Sequence, residues 1–342
     1  MVLRGSGAET VRRQLAVAAA GLLLLAGCAD PDDDGGGSKP GGGAKGVAFF
    51  GFAKANSFSQ ATFEGVKEQA GKAGVKAEFF DANFDAQAQI RQMQDAITSK
   101  RFGVFVVQAN DGTASVPVVR KAVQSGIAVV VQFTPVGPRY STADPQVPGA
   151  ISLVDVPVRN GERLGRLGAG ACRTVKAKPC EVAYLEGLKA LPLDNARTEA
   201  VVKTLRSAPD VKVVAQIEGG YTRDSGRKAM QDLLQAHPGV DVVIGSSQAL
   251  FGAEGVAKGK DIRYVGNGAS RQAVAAVREG RWYGIPYLPI RTAGAKAAEL
   301  GLTKARGGTV AASTDMSTLV PNGGELTKDL IASSGITGEY DE

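Results

Sequence analysis

The side chains that carry most enzyme and metal chemistry are scarce in this chain. The single histidine, His237, stands directly before Pro238 in what we interpret as a turn, so no nucleophile–base pair can be built around it. The sequence contains no Gly-x-Ser-x-Gly elbow and no GxGxxG after its first predicted strand. One histidine with Cys172 and Cys180 does not make a metal-ligand set. We therefore expect no catalysis, no metal and no cofactor.

The first 27 residues have the pattern of a secretory signal peptide. Arg12 and Arg13 precede an apolar run of eleven residues from Leu15 to Leu25, whereas a membrane span needs about 20. The Leu-Ala-Gly-Cys sequence that follows resembles the lipobox of bacterial lipoproteins. That resemblance implies that Cys28 is lipidated and anchors the protein to the outer face of the cell membrane. An ordinary signal peptide is the alternative, and the choice between Sec and twin-arginine export stays open.

Composition limits the classes of partner that this protein can have. Without residues 1–27, which hold three arginines and one glutamate, the formal charge falls from +6 to +4. The basic residues are scattered, and no nucleic-acid-binding motif is present, so we expect no nucleic-acid partner. Residues 28–45 contain no apolar side chain larger than alanine and predict a flexible tether.

Cysteine counting predicts one disulfide. If Cys28 carries lipid, Cys172 and Cys180 remain as a pair, and disulfides persist in an exported protein. We expect them to be bonded, closing a short loop between the end of a helix and the start of a strand. Two free buried thiols are the alternative.

From Gly46 onward the chain alternates short apolar runs with helical patterns. The first two apolar runs are Val47–Phe52 and Val75–Phe80. Continuous apolar runs of this kind are typical of parallel strands that are covered on both faces. A Pro- and Gly-rich loop at residues 134–149 separates two such series. The last part predicts a strand near 312–320 and a helix at 323–333. The fold class predicted is α/β.

The order of these elements resembles that of the type I periplasmic binding proteins, in particular the ribose-binding branch. Local stretches that carry the resemblance are Phe49–Ser59, Gly126–Val130, Ala236–Val243, Tyr264–Gly266 and Val277–Gly280. It implies two Rossmann-like lobes with parallel sheets, joined by a three-strand hinge, with a ligand held between them.

The resemblance also implies limits for the lobes. The N-terminal lobe comprises residues 46–152 and 288–315, and the C-terminal lobe comprises residues 155–286 and 317–335. The crossings between them are expected near Ser152–Asp155, Pro286–Pro289 and Asp315–Ser317.

Transferring the family's sugar-contacting positions to this chain gives a neutral pocket. The family's Asp and Arg after the fourth strand are matched by Phe133 and Thr134, and the second-lobe Arg by Asn195, although Arg197 lies nearby. An uncharged ligand is therefore expected, because a buried ligand charge would need a partner. The implied ligand-binding residues are Asn56, Phe58, Ser59, Phe133, Thr134, Asn195, Ser247, Gln248, Asn267 and Tyr287.

These inferences indicate a solute-binding lipoprotein of an ABC importer, a monomer that delivers a small neutral solute to permease subunits. Sugars, sugar derivatives, polyols and nucleosides all fit the implied pocket. The alternative is a sensory protein that presents its ligand to a membrane receptor. A transcription regulator would need an amino-terminal helix-turn-helix where the signal peptide stands.

Overall fold

The computed structural model describes residues 45–342, apart from the side chain of Asn322. The predicted signal peptide, the lipidation site at Cys28 and all but the last residue of the predicted tether lie outside the described residues. Within them, the chain forms two six-stranded sheets covered by helices, which confirms the predicted α/β fold class.

The first sheet is entirely parallel, and its strand order is β11-β5-β4-β3-β1-β2. The four central strands are buried on both faces because helices pack on each side, which explains their continuous apolar runs. The strands are β1 (Gly46–Gly51), β2 (Ala77–Asp81), β3 (Phe102–Val107), β4 (Ala128–Phe133), β5 (Ile151–Val154) and β11 (Ser313–Asp315). The helices packed on it are α1 (Ser57–Lys72), α2 (Ala86–Ser99), α3 (Val116–Gln124) and α9 (Ile290–Ala305).

The second sheet has the order β12-β10-β9-β8-β6-β7, and only the edge pair β10 and β12 is antiparallel. Its strands are β6 (Cys180–Glu186), β7 (Val211–Glu218), β8 (Val242–Ser246), β9 (Arg263–Asn267), β10 (Trp282–Pro286) and β12 (Glu325–Thr327). Its helices are α4 (Pro157–Cys172), α5 (Pro192–Arg206), α6 (Arg223–Ala236), α7 (Ser247–Val256), α8 (Arg271–Arg278) and α10 (Lys328–Ser334). We call the first sheet with its helices the first lobe, and the second with its helices the second lobe.

The chain passes between the lobes three times: between β5 and α4, between β10 and α9, and between β11 and β12. The third passage is longer than expected, because two short 3₁₀ turns at Met316–Leu319 and Pro321–Gly324 follow β11.

The predicted strand and helix at the end of the chain were wrong in detail. Strand β11 ends at Asp315, and a short strand, β12, occupies the start of the predicted helix at 323–333. Three-residue strands are too short to show an alternating pattern.

The predicted disulfide is confirmed. Cys172 ends α4 and Cys180 begins β6, and their Cα atoms are 5.7 Å apart. Both cysteines are buried in the second lobe among residues of α4, α5 and the sheet. The bond closes the short loop between a helix end and a strand start.

Helices α1 and α9 approach each other through glycines. A Cβ atom on Gly65 would lie 1.9 Å from the backbone oxygen of Arg291, and one on Gly294 would lie 2.0 Å from that of Thr62. Each distance is far inside van der Waals contact, and the obstructing atoms are backbone atoms that cannot turn away. Close approach of these two helices therefore requires glycine at both positions.

We expect Gly65→Ala to lower the free energy of unfolding by about 1–3 kcal/mol or more, because the methyl group overpacks the helix contact. Gly71→Ala, in the same helix with nothing within 4 Å of the added Cβ, is the matched control. It should be neutral, or stabilising by about 0.5–1 kcal/mol from helix propensity. Urea unfolding of both variants measures the difference, and equal stabilities would contradict the tight crossing.

Candidate functional site

The candidate site is a cleft between the two lobes, at the carboxyl ends of their strands. Ligands bind at this edge in open α/β sheets. The cleft encloses about 650 Å³ of free space, including the space at its mouth, within the range that holds small-molecule ligands. Residues of both lobes line it: Phe52, Asn56, Phe58, Phe84, Phe133, Leu191, Leu193, Arg197, Tyr221, Gln248, Asn267, Gly268, Ala269, Pro286, Leu288, Ile290 and Tyr340.

Asn56 and Phe58 reach the cleft because helix α1 begins there. The side-chain Oδ1 of Asn56 accepts a hydrogen bond from the backbone N–H of Ser59 at 3.0 Å and caps the helix. This fixes the amide so that Nδ2 is the end available to a ligand. Phe58, two residues further on, is half-buried and packs on the core of the first lobe.

Aromatic rings form the wall of the first lobe. Phe133 ends β4, and its ring meets Phe58 edge to face with centroids 4.7 Å apart and Phe52 at 6.0 Å. Its backbone has a φ of +65°, a left-handed conformation that is strained for a bulky residue. Such strain persists where the surrounding structure holds it, and here it directs the Phe133 ring into the aromatic wall.

One aromatic contact crosses the cleft. Phe84 follows β2 in the first lobe, and Tyr221 follows β7 in the second. Their centroids are 6.1 Å apart, and their planes differ by 9°. Phe84 also has a left-handed φ of +61° and faces Phe52 at 6.3 Å. The aromatic wall therefore extends from the first lobe to the second.

A buried ion pair fixes the second-lobe side of the site. Arg197 Nη1 donates to Asp194 Oδ1 at 2.7 Å and to Tyr221 Oη at 3.0 Å, and Tyr221 Oη donates to the same carboxylate. The backbone N–H of Leu188 donates to the other carboxylate oxygen at 2.8 Å. Burial raises the pKa of the Asp194 carboxyl, and attraction to the Arg197 guanidinium opposes that shift. Asp194 lies behind the lining residues, so Arg197 presents a neutralised cation to the cleft.

Two amides complete the polar lining of the second lobe. Asn267, at the end of β9, accepts through Oδ1 from Asn160 Nδ2 at 3.3 Å. Gln248, in the first turn of α7, donates through Nε2 to the hydroxyl of Ser57 in the first lobe at 3.3 Å. The Gln248 contact joins the lobes at the rim of the cleft and leaves the amide Oε1 as an acceptor.

Residues 335–342, which we call the strap segment, form a further wall. Tyr340 is buried, packs with the core of the first lobe and lines the cleft, and its hydroxyl lies near Gly268. Its backbone oxygen accepts from the N–H of Arg271 at 2.8 Å. The strap segment thus places an aromatic side chain in the cleft while it is held to the second lobe.

The strap segment also contacts the first lobe. One carboxylate oxygen of Glu342 accepts from Ser247 Oγ in the second lobe at 2.6 Å, and the other accepts from Ser57 Oγ in the first lobe at 3.3 Å. The N–H of Thr292, in the first turn of α9, donates to Glu339 at 3.0 Å. Burial raises the pKa of the Glu342 carboxyl, although these hydroxyl donors oppose it.

The structure brings five of the ten sequence-predicted pocket residues to the cleft: Asn56, Phe58, Phe133, Gln248 and Asn267. The other five are not among the lining residues, and ligand binding by any of the ten stays a prediction. Thr134 and Ser59 are buried, with the Ser59 hydroxyl bonded to Gln108.

The remaining three lie in the second lobe or the hinge. Ser247 is bonded to Glu342, and Tyr287 Oη donates to the backbone oxygen of Thr337. Asn195 is exposed on α5 and donates to the backbone of Lys189. Arg197 lines the cleft instead of Asn195, a displacement of two residues along α5.

Several lining residues were not predicted, and most follow a simple rule. Phe84, Tyr221 and Leu288 come shortly after strands β2, β7 and β10, and residues after parallel strands meet at the ligand edge of a sheet. Applying that rule to every strand would have found them. Tyr340 carries no such signal, because it reaches the cleft through the strap segment rather than from a strand.

In the part of the chain that the structure describes, no three His, Cys, Asp or Glu side chains are grouped to hold a metal ion. Among the same residues, no helix combines the length and apolar character needed to cross a membrane.

Comparison with known proteins shows which family this chain matches and which solved structures share its fold. A family model described as a periplasmic binding protein domain matches residues 47–309, so the strap segment lies beyond the matched region. The galactofuranose-binding protein of Escherichia coli is 23% identical over 207 residues, which cover 57% of this chain and 62% of that protein. The ribose import binding protein of Bacillus subtilis is 25% identical over 227 residues, covering 66% of this chain and 70% of that protein.

Solved structures show the same fold. One from Mycobacterium smegmatis, in complex with β-D-fucofuranose, has a TM-score of 0.68 at 23% identity and covers 78% of this chain and 88% of that chain. A solute-binding protein of an ABC transporter from Bacillus halodurans, with bound myo-inositol, has a TM-score of 0.71 at 18% identity. That match covers 86% of this chain and 98% of that one.

The raised pKa of Glu342 predicts a pH dependence. Because the folded state holds the proton more tightly than the unfolded chain, the group's contribution is most favourable at acidic pH. It is lost as pH rises through the folded pKa. We expect Glu342→Gln, which cannot ionise, to unfold at a higher temperature than the unchanged protein at pH 8, with the difference shrinking towards pH 4.5.

Thermal unfolding across pH 4–8 measures this difference. Asp341→Asn, an exposed neighbour, is the control and should leave the pH profile unchanged. A Glu342→Gln profile parallel to that of the unchanged protein would contradict the buried carboxyl contact.

Proposed function

This chain belongs to the periplasmic binding protein domain family and has the type I fold, and from that premise we propose that it captures a small neutral solute between its lobes for import by an ABC transporter. The solute classes proposed are a sugar, a sugar derivative, a polyol or a nucleoside. The observation that carries the proposal is the cleft, to which both lobes contribute aromatic rings and uncharged amides. The Arg197 cation in its lining is neutralised from behind by Asp194, which suits a ligand without net charge.

The relatives support the sugar classes. The matched Escherichia coli and Bacillus subtilis proteins are named for binding galactofuranose and for ribose import. Amides can both donate and accept hydrogen bonds, and aromatic faces cover the apolar faces of rings. Asn56, Gln248 and Asn267 can thus bind hydroxyl groups while Phe58 and Phe133 pack on a ring.

We extend the proposal to location and partners. The lipobox at Cys28 supports anchoring of an exported protein to the outer face of the cell membrane through a lipid. Permease subunits of the transporter are the proposed protein partners, and the working unit is a monomer.

Ligand screening by thermal shift tests solute capture. A solute at 100 times its Kd should raise the free energy of unfolding by about 2.7 kcal/mol, because it binds the folded state alone. We expect at least one sugar, sugar derivative, polyol or nucleoside to do so, whereas charged amino acids should not. Absence of any shift across the neutral panel would contradict the proposal.

Phe133→Ala tests the site itself. We expect the best ligand of that screen to bind at least about tenfold more weakly, because the ring lining the cleft is lost, while the protein stays folded. Thr134→Val is the matched control: its neighbouring hydroxyl is buried outside the lining and makes no hydrogen bond among the described residues. Titration calorimetry compares the three proteins, and unchanged affinity in Phe133→Ala would remove this residue from the site.

The alternative function is sensing, in which the ligand-bound protein signals to a membrane receptor. Deleting the gene separates the two: lost uptake of the ligand supports import, whereas unchanged uptake with a lost response supports sensing.

A further inference from the structure

The polar atoms that the cleft leaves to a ligand are mostly hydrogen-bond donors. Arg197 Nε is buried and, among the described residues, has no partner. The amide oxygens of Asn56 and Asn267 are already engaged, so these side chains offer Nδ2. Gln248 Oε1 is left to accept, the Tyr340 hydroxyl, unpartnered among the described residues, can donate or accept, and no Asp or Glu is among the lining residues that the structure describes.

This imbalance disfavours an unmodified sugar. Every free hydroxyl carries a hydrogen that needs an acceptor, and a buried hydroxyl without one weakens binding by about tenfold or more. A free hexose or pentose has four or more hydroxyls, whereas carboxylates, which accept several hydrogen bonds each, are missing from the lining. An oxygen in an ether or glycosidic bond carries no hydrogen and suits donors such as Arg197 Nε.

Apolar surface occupies much of the remaining wall. Phe84 and Tyr221 face each other from opposite lobes in nearly parallel planes, with centroids 6.1 Å apart. A flat ring between two parallel faces needs about 7–8 Å, which is two contact distances of 3.5–4.0 Å. The two rings therefore need to separate by at least about an ångström to admit one. Both are half-buried, so part of each ring remains accessible.

Each of the two rings is held within its own lobe, so the gap between them can widen only if the lobes move apart. Phe84 is held at a φ of +61°, and Tyr221 is held through its hydroxyl by Asp194 and Arg197. The hydrogen bonds of Tyr221 are satisfied within the protein, so its contribution to a ligand is its ring face. Two preorganised ring faces favour a planar apolar group over a polar one.

We propose that the preferred ligand is a glycoside with a flat aromatic ring, bound with that ring between Phe84 and Tyr221 and its glycosidic oxygen towards the amide and guanidinium donors. The inference rests on the proposed function and narrows it from neutral solutes in general to one class. The remaining sugar hydroxyls lie towards the open mouth, where water supplies acceptors.

Matched ligands test this choice on the full chain. Galactose, arabinose, ribose and glucose are each compared as the free sugar, the methyl glycoside and the phenyl glycoside by titration calorimetry. For at least one sugar, we expect the phenyl glycoside to bind at least tenfold more tightly than the methyl glycoside, a difference of about 1.4 kcal/mol. The methyl glycoside should bind no more weakly than the free sugar.

Variants identify the ring contact. Phe84→Leu keeps apolar bulk but removes the ring, and we expect it to reduce the ratio of phenyl to methyl glycoside affinity to less than threefold. Phe80→Leu, a nearby aromatic that packs on the core of the first lobe outside the cleft, should keep the full advantage. A phenyl advantage that survives Phe84→Leu would overturn the proposed ring site.

The results of these titrations distinguish a failure of the aromatic glycoside proposal from a failure of the proposed solute-binding function. Free sugars that bind as tightly as their phenyl glycosides would overturn the inference and leave solute capture standing. Failure of all twelve ligands, together with a failed screen of neutral solutes, would overturn both.

Discussion

The close contact between α1 and α9 is the constraint on which the cleft depends. Helix α1 follows the first strand of the first lobe, whereas α9 follows the second passage of the chain, where it returns from the second lobe. Glycines 65 and 294 let their backbones meet, since any side chain there would run into the opposite helix. The contact holds α9 against the first sheet, most of whose strands lie far earlier in the sequence. It also fixes the helix starts, and with them Asn56 and Ile290, on one edge of the cleft.

The second wall of the cleft depends on electrostatics rather than on helix packing. Arg197 and Asp194 are both almost fully buried, so each needs the other's charge. Tyr221 joins them through its hydroxyl, and its ring meets Phe84 of the other lobe. A buried ion pair is thereby coupled to the contact across the cleft. Since the pair is neutral as a whole, it adds no net charge to this wall of the cleft.

Sequence reasoning predicted the alternation of strands and helices well, because parallel strands covered on both faces leave long apolar runs such as Val47–Phe52. It predicted the end of the chain poorly. Strand β12 has three residues, and Leu326 is its one buried side chain, so its pairing with β10 depends on a distant partner rather than on a local pattern. The disulfide could be predicted because, with Cys28 assigned to a lipid, Cys172 and Cys180 were the two of three cysteines left to pair.

The candidate site was less predictable, for a geometric reason. A residue's place in the cleft depends on which turn of a helix faces the gap, and a shift of two positions separates exposed Asn195 from buried Arg197. The left-handed backbone at Phe84 and Phe133 likewise could not be predicted from the residue types, because bulky aromatic residues rarely adopt that conformation.

The strap segment shows a different limit of sequence reasoning. Tyr340 and Glu342 lie beyond the region matched by the family model, yet they contact the cleft and both lobes. The strap segment bridges the lobes, because the half-buried Glu342 carboxylate accepts from Ser57 of the first lobe and Ser247 of the second. A wall made in this way depends on contacts between distant parts of the chain, which no local pattern of residues indicates.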